Sequence, residues 1–125
     1  MKRETALTPC QADYLKAIYR LHQGDSTIRL MNIADAMSVT KPSAFYAVSQ
    51  LSEMGLIEHE KFGPVYLTPP GLETAQALAE KHEMIKRFLM RVLNVEEAVA
   101  QADACAMEHI LCAATLAEMA VRALG

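Results

Sequence analysis

Three residues near the carboxyl end of the chain, Cys105, Glu108 and His109, bring a thiol, a carboxylate and an imidazole close together in sequence. On an α-helix, residues three and four positions apart lie on one face, so this spacing predicts that the three side chains project toward one point. Sulfur, nitrogen and oxygen donors together suit Fe²⁺, Co²⁺, Ni²⁺ or Zn²⁺ and do not suit Mg²⁺ or Ca²⁺. The stretch therefore predicts part of a metal site.

Three donors do not complete a coordination shell, and Asp13 and His82 are the candidates for completing it. Each candidate also has a simpler explanation. Asp13 lies near the start of a predicted helix, where the helix dipole stabilises a carboxylate. His82 lies in an apolar stripe, where a hydrogen-bonded core histidine is common, and Cys105 could be a small core residue. The residues alone leave both interpretations open.

The composition limits the class of protein. The 125 residues are 52% hydrophobic and 22% charged, which predicts one globular domain, or one domain with a dimerisation arm. No run of about 18 apolar residues predicts a membrane span, and the N-terminus lacks the apolar segment of a signal peptide. Three widely spaced cysteines do not form a disulfide framework, so we expect the reducing cytoplasm.

The charge is distributed unevenly along the chain. The net charge is −3, yet residues 1–70 hold seven basic and seven acidic residues, whereas residues 71–125 hold five and eight. The overall charge is not typical of a nucleic-acid-binding protein. The acidic surplus coincides with the candidate metal ligands, so any DNA contact is expected in the neutral half.

The first half of the chain predicts a winged helix, because two short helices around a tight turn are followed at once by a β-hairpin. Thr8-Pro9 and Thr40 with Pro42 predict helix starts, and Gly55 predicts a helix end. The predicted elements are a helix from Thr8 to about Gln23, a short strand at Ser26–Arg29, helices Met31–Met37 and Pro42–Met54, and strands Leu56–Lys61 and Val65–Leu67.

The second half predicts helices alone. A long helix is expected from Leu72 to Leu93, and Asn94–Glu97 reads as a capping box that opens the helix carrying Cys105. The last segment, from Cys112 to about Leu124, is rich in Ala, Leu and Met and almost uncharged. A helix this apolar is expected to pack against a partner subunit.

Several short stretches, at these spacings and in this order, together resemble one family. They are Asp13-Tyr-Leu-Lys-Ala-Ile-Tyr19, Asn32-Ile-Ala-Asp35, Lys41-Pro-Ser43, Leu51-Ser-Glu-Met-Gly-Leu-Ile57, Leu67-Thr-Pro-Pro-Gly71, Lys81-His82 with Phe88-Leu89, and Glu108-His109. The chain resembles the diphtheria toxin repressor / manganese transport regulator family of metal-dependent transcription regulators. The resemblance implies a mainly α fold, with a winged helix-turn-helix DNA-binding domain over residues 1–71 and an all-helical dimerisation and metal-binding region over residues 72–125.

The resemblance also implies a ligand set. The family's metal ligands fall on the residues that the donor chemistry had already suggested: Asp13, His82, Cys105, Glu108 and His109. Iron-sensing members resemble this chain at Cys105, and manganese-sensing members resemble it at Asp13. We therefore expect a divalent transition metal, with Fe²⁺ favoured because sulfur binds it better than Mn²⁺, and with Mn²⁺, Co²⁺, Ni²⁺ and Zn²⁺ as further possibilities.

The chain departs from the family pattern in ways that affect the prediction. Lys16, Lys86 and Gln101 stand where family members place ligands of a second metal, so one site per subunit is expected. Cys112 stands where a serine usually caps the last helix. Ser49 and Gln50 stand where lysines often occur late in the recognition helix, and the chain as printed ends without the SH3-like domain of longer members.

The expected function is that of a metal-dependent regulator, most simply a repressor, which binds a palindromic operator in double-stranded DNA as a homodimer. Two recognition helices would enter successive major grooves. The expected DNA contacts are Thr40, Lys41, Pro42, Ser43, Tyr46, Gln50 and Lys61. The alternatives are a redox-sensing regulator that uses Cys105 and Cys112, and a small metal-binding protein or metalloenzyme without DNA binding. An enzyme is not expected, because no residue beside the ligands is available as a base.

Overall fold

The computed structural model describes residues 7–24, 27–61 and 63–124. Within these ranges the chain forms six helices and one two-stranded sheet, so the expected mainly α fold is confirmed. The elements are α1 Pro9–His22, α2 Leu30–Met37, α3 Lys41–Glu53, β1 Ile57–His59, β2 Val65–Leu67, α4 Pro69–Arg91, α5 Glu97–Met107 and α6 Ala113–Leu124. They divide into an N-terminal unit, Met1–Gln76, and a helical unit, Ala77–Gly125.

The helix starts of the N-terminal unit follow the predicted capping residues. The Thr8 hydroxyl accepts a hydrogen bond from the Gln11 N–H at 3.1 Å, and the Gln11 side-chain oxygen accepts one from the Thr8 N–H at 3.0 Å. This reciprocal capping box satisfies backbone donors that the first turn of α1 leaves without partners. Thr40 caps α3 in a similar way by accepting from the Ser43 N–H at 3.3 Å.

The core of the N-terminal unit joins the first three helices to the hairpin. One face of α3, formed by Ala44, Ala47, Val48 and Leu51, is buried, and it packs with apolar residues of α1, α2 and the strands. The fully buried large side chains here are Leu15, Ile18, Ile33, Val48, Leu51, Ile57 and Val65. This packing fixes α3 with its polar face toward solvent.

The hairpin is antiparallel, with Glu58 opposite Tyr66. The strand predicted at Ser26–Arg29 is not formed over residues 27–29, and Ser26 lies outside the described residues. Ile28 nevertheless accepts a backbone hydrogen bond from the Val65 N–H at 2.8 Å. One such bond places the segment beside β2 without building a ladder.

The helical unit has a separate core. Its buried residues come from α4, α5 and α6, and they are Ile85, Leu89, Ala100, Ala104 and Met119. The predicted capping box at Asn94–Glu97 is wrong. Asn94 adopts a left-handed conformation with φ of 61°, which asparagine tolerates better than most residues, and Glu96 is the N-cap of α5.

The helical unit exposes large apolar side chains on α6, where the sequence predicted them, and just before it. Val121 on α6 is 67% exposed, and Ile110, just before α6, is 78% exposed. Exposed apolar side chains of this size commonly mark a protein interface. No helix in the described ranges combines the length and the hydropathy needed to cross a membrane.

Gly71 supplies the first testable prediction. It lies at the start of α4, where a Cβ atom would collide with the backbone carbonyl of Leu56, and its N–H donates to the Thr68 hydroxyl at 3.1 Å. Backbone cannot move aside as the end of a flexible side chain can, so Gly71→Ala should lower the free energy of unfolding by more than about 2 kcal/mol in urea titrations.

Gly24→Ala is the matched control. A Cβ atom there would meet the Leu21 carbonyl oxygen at an ordinary 3.4 Å, so the unfolding free energy should change by less than about 0.5 kcal/mol. Equal effects at the two glycines would contradict the steric explanation.

Candidate functional site

The helical unit brings His82 and Glu108 together. His82 lies on α4 and Glu108 follows α5 as its C-cap, and the His82 Nδ1 and Glu108 Oε1 atoms are 3.0 Å apart. Glu108 is only 2% exposed. Burying a carboxylate is unfavourable unless polar or charged partners compensate for the lost water. The contact therefore fixes both side chains at one place in the unit.

Two further predicted ligands lie beside this pair. The Cys105 sulfur is 3.9 Å from His82 Nδ1, and His109 Nε2 is 3.8 Å from Glu108 Oε2. The predicted geometry is wrong in one respect, because α5 ends at Met107 and His109 lies in the turn that follows. His109 reaches the cluster through the turn and not through helical spacing.

These four residues offer one sulfur, one carboxylate and two imidazoles within a single unit. The set fits a borderline divalent cation, because thiolate and imidazole are ligands for Fe²⁺, Co²⁺ and Zn²⁺ and a carboxylate is accepted by all of them. The chemistry of the donors thus supports the metal that the sequence suggested.

Asp13, the fifth predicted ligand, belongs to the N-terminal unit. Asp13 lies near the start of α1, as expected, but it is the fifth residue of the helix and so lies just beyond the first turn. The helix dipole therefore explains a carboxylate at this position only weakly, because its effect falls off within the first turn.

Cys10 is exposed on the same helix. Burial, with a smaller contribution from Cys10, raises the pKa of Tyr14.

Cys112 lies outside the helix that carries Cys105, immediately before α6. Its sulfur is 3.5 Å from the Thr115 hydroxyl. Hydrogen bonding from that hydroxyl, followed by the backbone N–H groups of Thr115 and Ala114, lowers the pKa of the exposed Cys112 thiol. A thiol at a helix N-terminus is commonly more acidic for this reason.

The residues predicted to contact DNA lie in the N-terminal unit. Thr40, Lys41, Pro42, Ser43, Tyr46 and Lys61 are exposed, and Gln50 is partly exposed. Tyr46 is 66% exposed on α3. The polar face of α3 can therefore enter a groove of DNA, as the second helix of a helix-turn-helix does.

Phe45 and His59 extend this surface and were missed by the sequence analysis. Phe45 on α3 is 52% exposed and stacks edge-on against His59 of β1, with ring centroids 6.1 Å apart. The pair lies in a groove of about 980 Å³ that Arg29, Lys41 and Lys61 also line. The signal available in the sequence was Phe45 itself, an aromatic residue between the predicted DNA contacts Ser43 and Tyr46.

A winged helix with an exposed recognition helix, joined to a helical unit with clustered transition-metal donors, is the architecture of a metal-responsive DNA-binding regulator. Two family models match almost the whole chain. The iron dependent repressor N-terminal DNA binding domain matches residues 6–64, and the iron dependent repressor metal binding and dimerisation domain matches residues 68–122. The chain therefore belongs to the iron dependent repressor family, whose members are transcriptional regulators and not enzymes.

Individual proteins agree with this assignment. The HTH-type transcriptional regulator MntR of Lysinibacillus sphaericus is 33% identical over 83% of this chain and 74% of its own length. The solved structure of the manganese regulator SloR is 33% identical, with a TM-score of 0.76 over 90% of this chain and 53% of that chain. The solved structure of a manganese-dependent transcriptional repressor in complex with manganese matches with a TM-score of 0.82 at 24% identity, over 90% of this chain and 52% of that chain. At this identity the match is evidence for the shared fold only. This chain spans about half the length of these solved chains.

The acidity of Cys112 can be tested by alkylation. Because the Thr115 hydroxyl makes the largest contribution to the lowered pKa, Thr115→Val should move the pH midpoint of Cys112 alkylation by iodoacetamide upward, with slower reaction at neutral pH. The rate is followed for the Cys112 peptide by mass spectrometry. Thr115→Ser keeps a hydroxyl and should retain the wild-type midpoint, whereas identical midpoints for wild type and Thr115→Val would refute the assignment.

Proposed function

We propose that this chain is a metal-dependent transcriptional repressor that binds palindromic operator DNA as a homodimer when Fe²⁺ is bound, with Mn²⁺ as the second candidate. The observation that carries the proposal is the cluster of His82, Cys105, Glu108 and His109 in the helical unit. Family membership supports DNA binding by the first part of the chain, and metal binding and dimerisation by the second part. We propose residues 1–71 and 72–125 as the limits of these two domains.

In this proposal Asp13 of the N-terminal unit joins the four residues of the helical unit as a ligand. Bound divalent metal supplies ligand-bond energy that is complete only when both units contribute. The residues that hold the metal therefore favour one arrangement of the DNA-binding unit over others, which is a shift of population toward the DNA-binding form.

One metal per subunit is the expected number. Lys86 donates to the Glu97 carboxylate at 3.3 Å, and Lys16 lies buried on α1. These are the positions where the family resemblance places ligands of a second metal. A cation at each position repels a second divalent ion and offers it no lone pair while protonated.

The preference for Fe²⁺ over Mn²⁺ rests on Cys105. Several similar proteins carry manganese in their names, and Asp13 is an oxygen donor that manganese accepts well. The Cys105 sulfur is a softer donor and favours the later ions, which also outrank Mn²⁺ in intrinsic affinity for most ligand sets. The availability of each metal in the cell adds to this selectivity. We propose the reducing cytoplasm as the compartment, because Cys10, Cys105 and Cys112 are all free thiols.

DNA is proposed to bind through α3 and the wing. Ser43 and Tyr46 would face base edges, while Thr40, Lys41 and Lys61 would face phosphates, with Pro42 and Gln50 completing the surface. The dimer would pair two such surfaces through the apolar residues that the helical unit exposes near and on α6. Few basic residues are available, so the dependence of binding on salt should be shallow.

Cobalt absorption tests the metal centre. Co²⁺ bound by the Cys105 thiolate should give a charge-transfer band in the near ultraviolet, and Cys105→Ser should abolish it. Cys10→Ser and Cys112→Ser are matched controls that should keep the band. Survival of the band in Cys105→Ser would show that Cys105 is not a ligand. Cys105→Glu should shift the metal preference of DNA binding toward Mn²⁺, because oxygen replaces sulfur.

DNA binding is tested by comparing Tyr46 with Lys61. Tyr46→Ala should weaken binding to the operator by about 1–3 kcal/mol more than binding to unrelated DNA, because a base contact carries the specificity. Lys61→Ala should weaken both about equally, because phosphates are present in every sequence. Fluorescence anisotropy with Fe²⁺ and with chelator measures both effects. Similar behaviour of the two variants would contradict the roles given to them.

A further inference from the structure

A chain of hydrogen bonds connects the start of α1 with the recognition helix α3. The Thr8 N–H donates to the Gln11 side-chain oxygen at 3.0 Å. The Gln11 amide nitrogen donates to the Gln50 side-chain oxygen at 3.4 Å, and the Gln50 amide nitrogen reaches the Tyr46 hydroxyl at 3.1 Å. All four residues lie in the N-terminal unit, and Tyr46, where this series of bonds ends, is 66% exposed.

The donor and the acceptor in each of these hydrogen bonds follow from the first bond, in which the Thr8 N–H donates to Gln11. A backbone N–H can only donate, so the Gln11 oxygen is the acceptor and its NH₂ group must face Gln50. Gln50 therefore presents its oxygen to Gln11 and its NH₂ group to Tyr46. The Tyr46 oxygen accepts that bond, and the hydroxyl hydrogen points away from Gln50.

We propose that Gln11 is a positioning residue for DNA recognition, which sets the Tyr46 hydroxyl as a hydrogen-bond donor toward an acceptor atom on DNA. The inference rests on the proposed binding of DNA through α3. In this proposal the Gln50 amide accepts a hydrogen bond from Gln11 and donates one to Tyr46. The Tyr46 hydroxyl then prefers hydrogen-bond acceptors on DNA.

A donor at Tyr46 distinguishes among bases. In the major groove, guanine offers O6 and N7, adenine offers N7 and thymine offers O4 as acceptors, whereas the cytosine edge offers an NH₂ donor. A fixed donor therefore disfavours cytosine at the contacted position. A phosphate oxygen is also an acceptor, but a contact there would carry no base preference.

Gln11→Glu provides a test by reversing the chain. A glutamate at this position still accepts from the Thr8 N–H, and Thr-x-x-Glu is itself a common capping box, so α1 should keep its start. The carboxylate has no NH₂ group to offer and accepts from Gln50 instead. The Gln50 oxygen then faces Tyr46, whose hydroxyl donates inward and presents only an acceptor to DNA.

The probe is the duplex that the wild-type protein with Fe²⁺ enriches from a random-sequence pool, together with duplexes that carry each base at the Tyr46 position. The position is identified as the one where Tyr46→Phe loses base preference. For wild type, the acceptor-bearing bases should bind better than cytosine by about three- to tenfold, a modest factor because the first side-chain link is long. Gln11→Glu should shift the preference toward bases with an NH₂ donor, and Gln11→Ala should flatten it.

Gln23→Glu is the matched control, because it places the same added charge near the other end of α1. It should weaken binding to all duplexes about equally and leave the base preference unchanged. If Gln11→Glu behaves in the same way, the positioning role is refuted. Loss of affinity on Tyr46→Phe without any base preference in the wild type would place the hydroxyl on a phosphate and overturn the base contact. If the wild-type protein enriches no sequence at all, the proposed function itself fails, which is a different result from either.

Discussion

The contact between the buried Glu108 carboxylate and the His82 imidazole is the constraint on which the helical unit depends. A carboxylate that is 2% exposed must have compensating partners, and a 3.0 Å contact to Nδ1 supplies one. The same contact joins α4 to the end of α5, because the two residues are 26 positions apart. Cys105 and His109 lie beside this pair, so the interaction that stabilises the buried charge also gathers the candidate ligands.

The N-terminal unit uses one side chain for two purposes in a comparable way. Gln11 closes the capping box of α1 with Thr8 and also reaches Gln50 on α3. The cap is a local interaction that stabilises the helix start. The second bond extends the fixed direction of the cap to an exposed tyrosine on the recognition helix. In the role proposed for Gln11, this residue orients Tyr46 without touching DNA itself.

Some candidate ligands of this chain resemble those of iron-sensing regulators, and others resemble those of manganese-sensing regulators. Cys105 matches the iron type, Asp13 matches the manganese type, and Lys86 makes an ion pair with Glu97 at a position where a second metal ligand is otherwise expected. Family membership therefore establishes the kind of protein. Under the ligand set proposed above, the preferred metal would depend on the balance between sulfur and oxygen donors, since softer donors favour later ions.

The sequence by itself determined the helix starts at Thr8 and Thr40, the helix-turn-helix followed by a hairpin, and the types of donor atom available at the candidate site. The helix starts depend on residues three positions apart, whose contacts form within one turn, and the donor types follow directly from the identity of the residues. Tertiary structure alone decided that His82 on α4 contacts Glu108, which lies 26 positions further along the chain. It also decided the bond between Gln11 and Gln50, which are 39 positions apart. Contacts of this kind arise from the packing of whole helices, and no local pattern in the sequence records how two helices will meet.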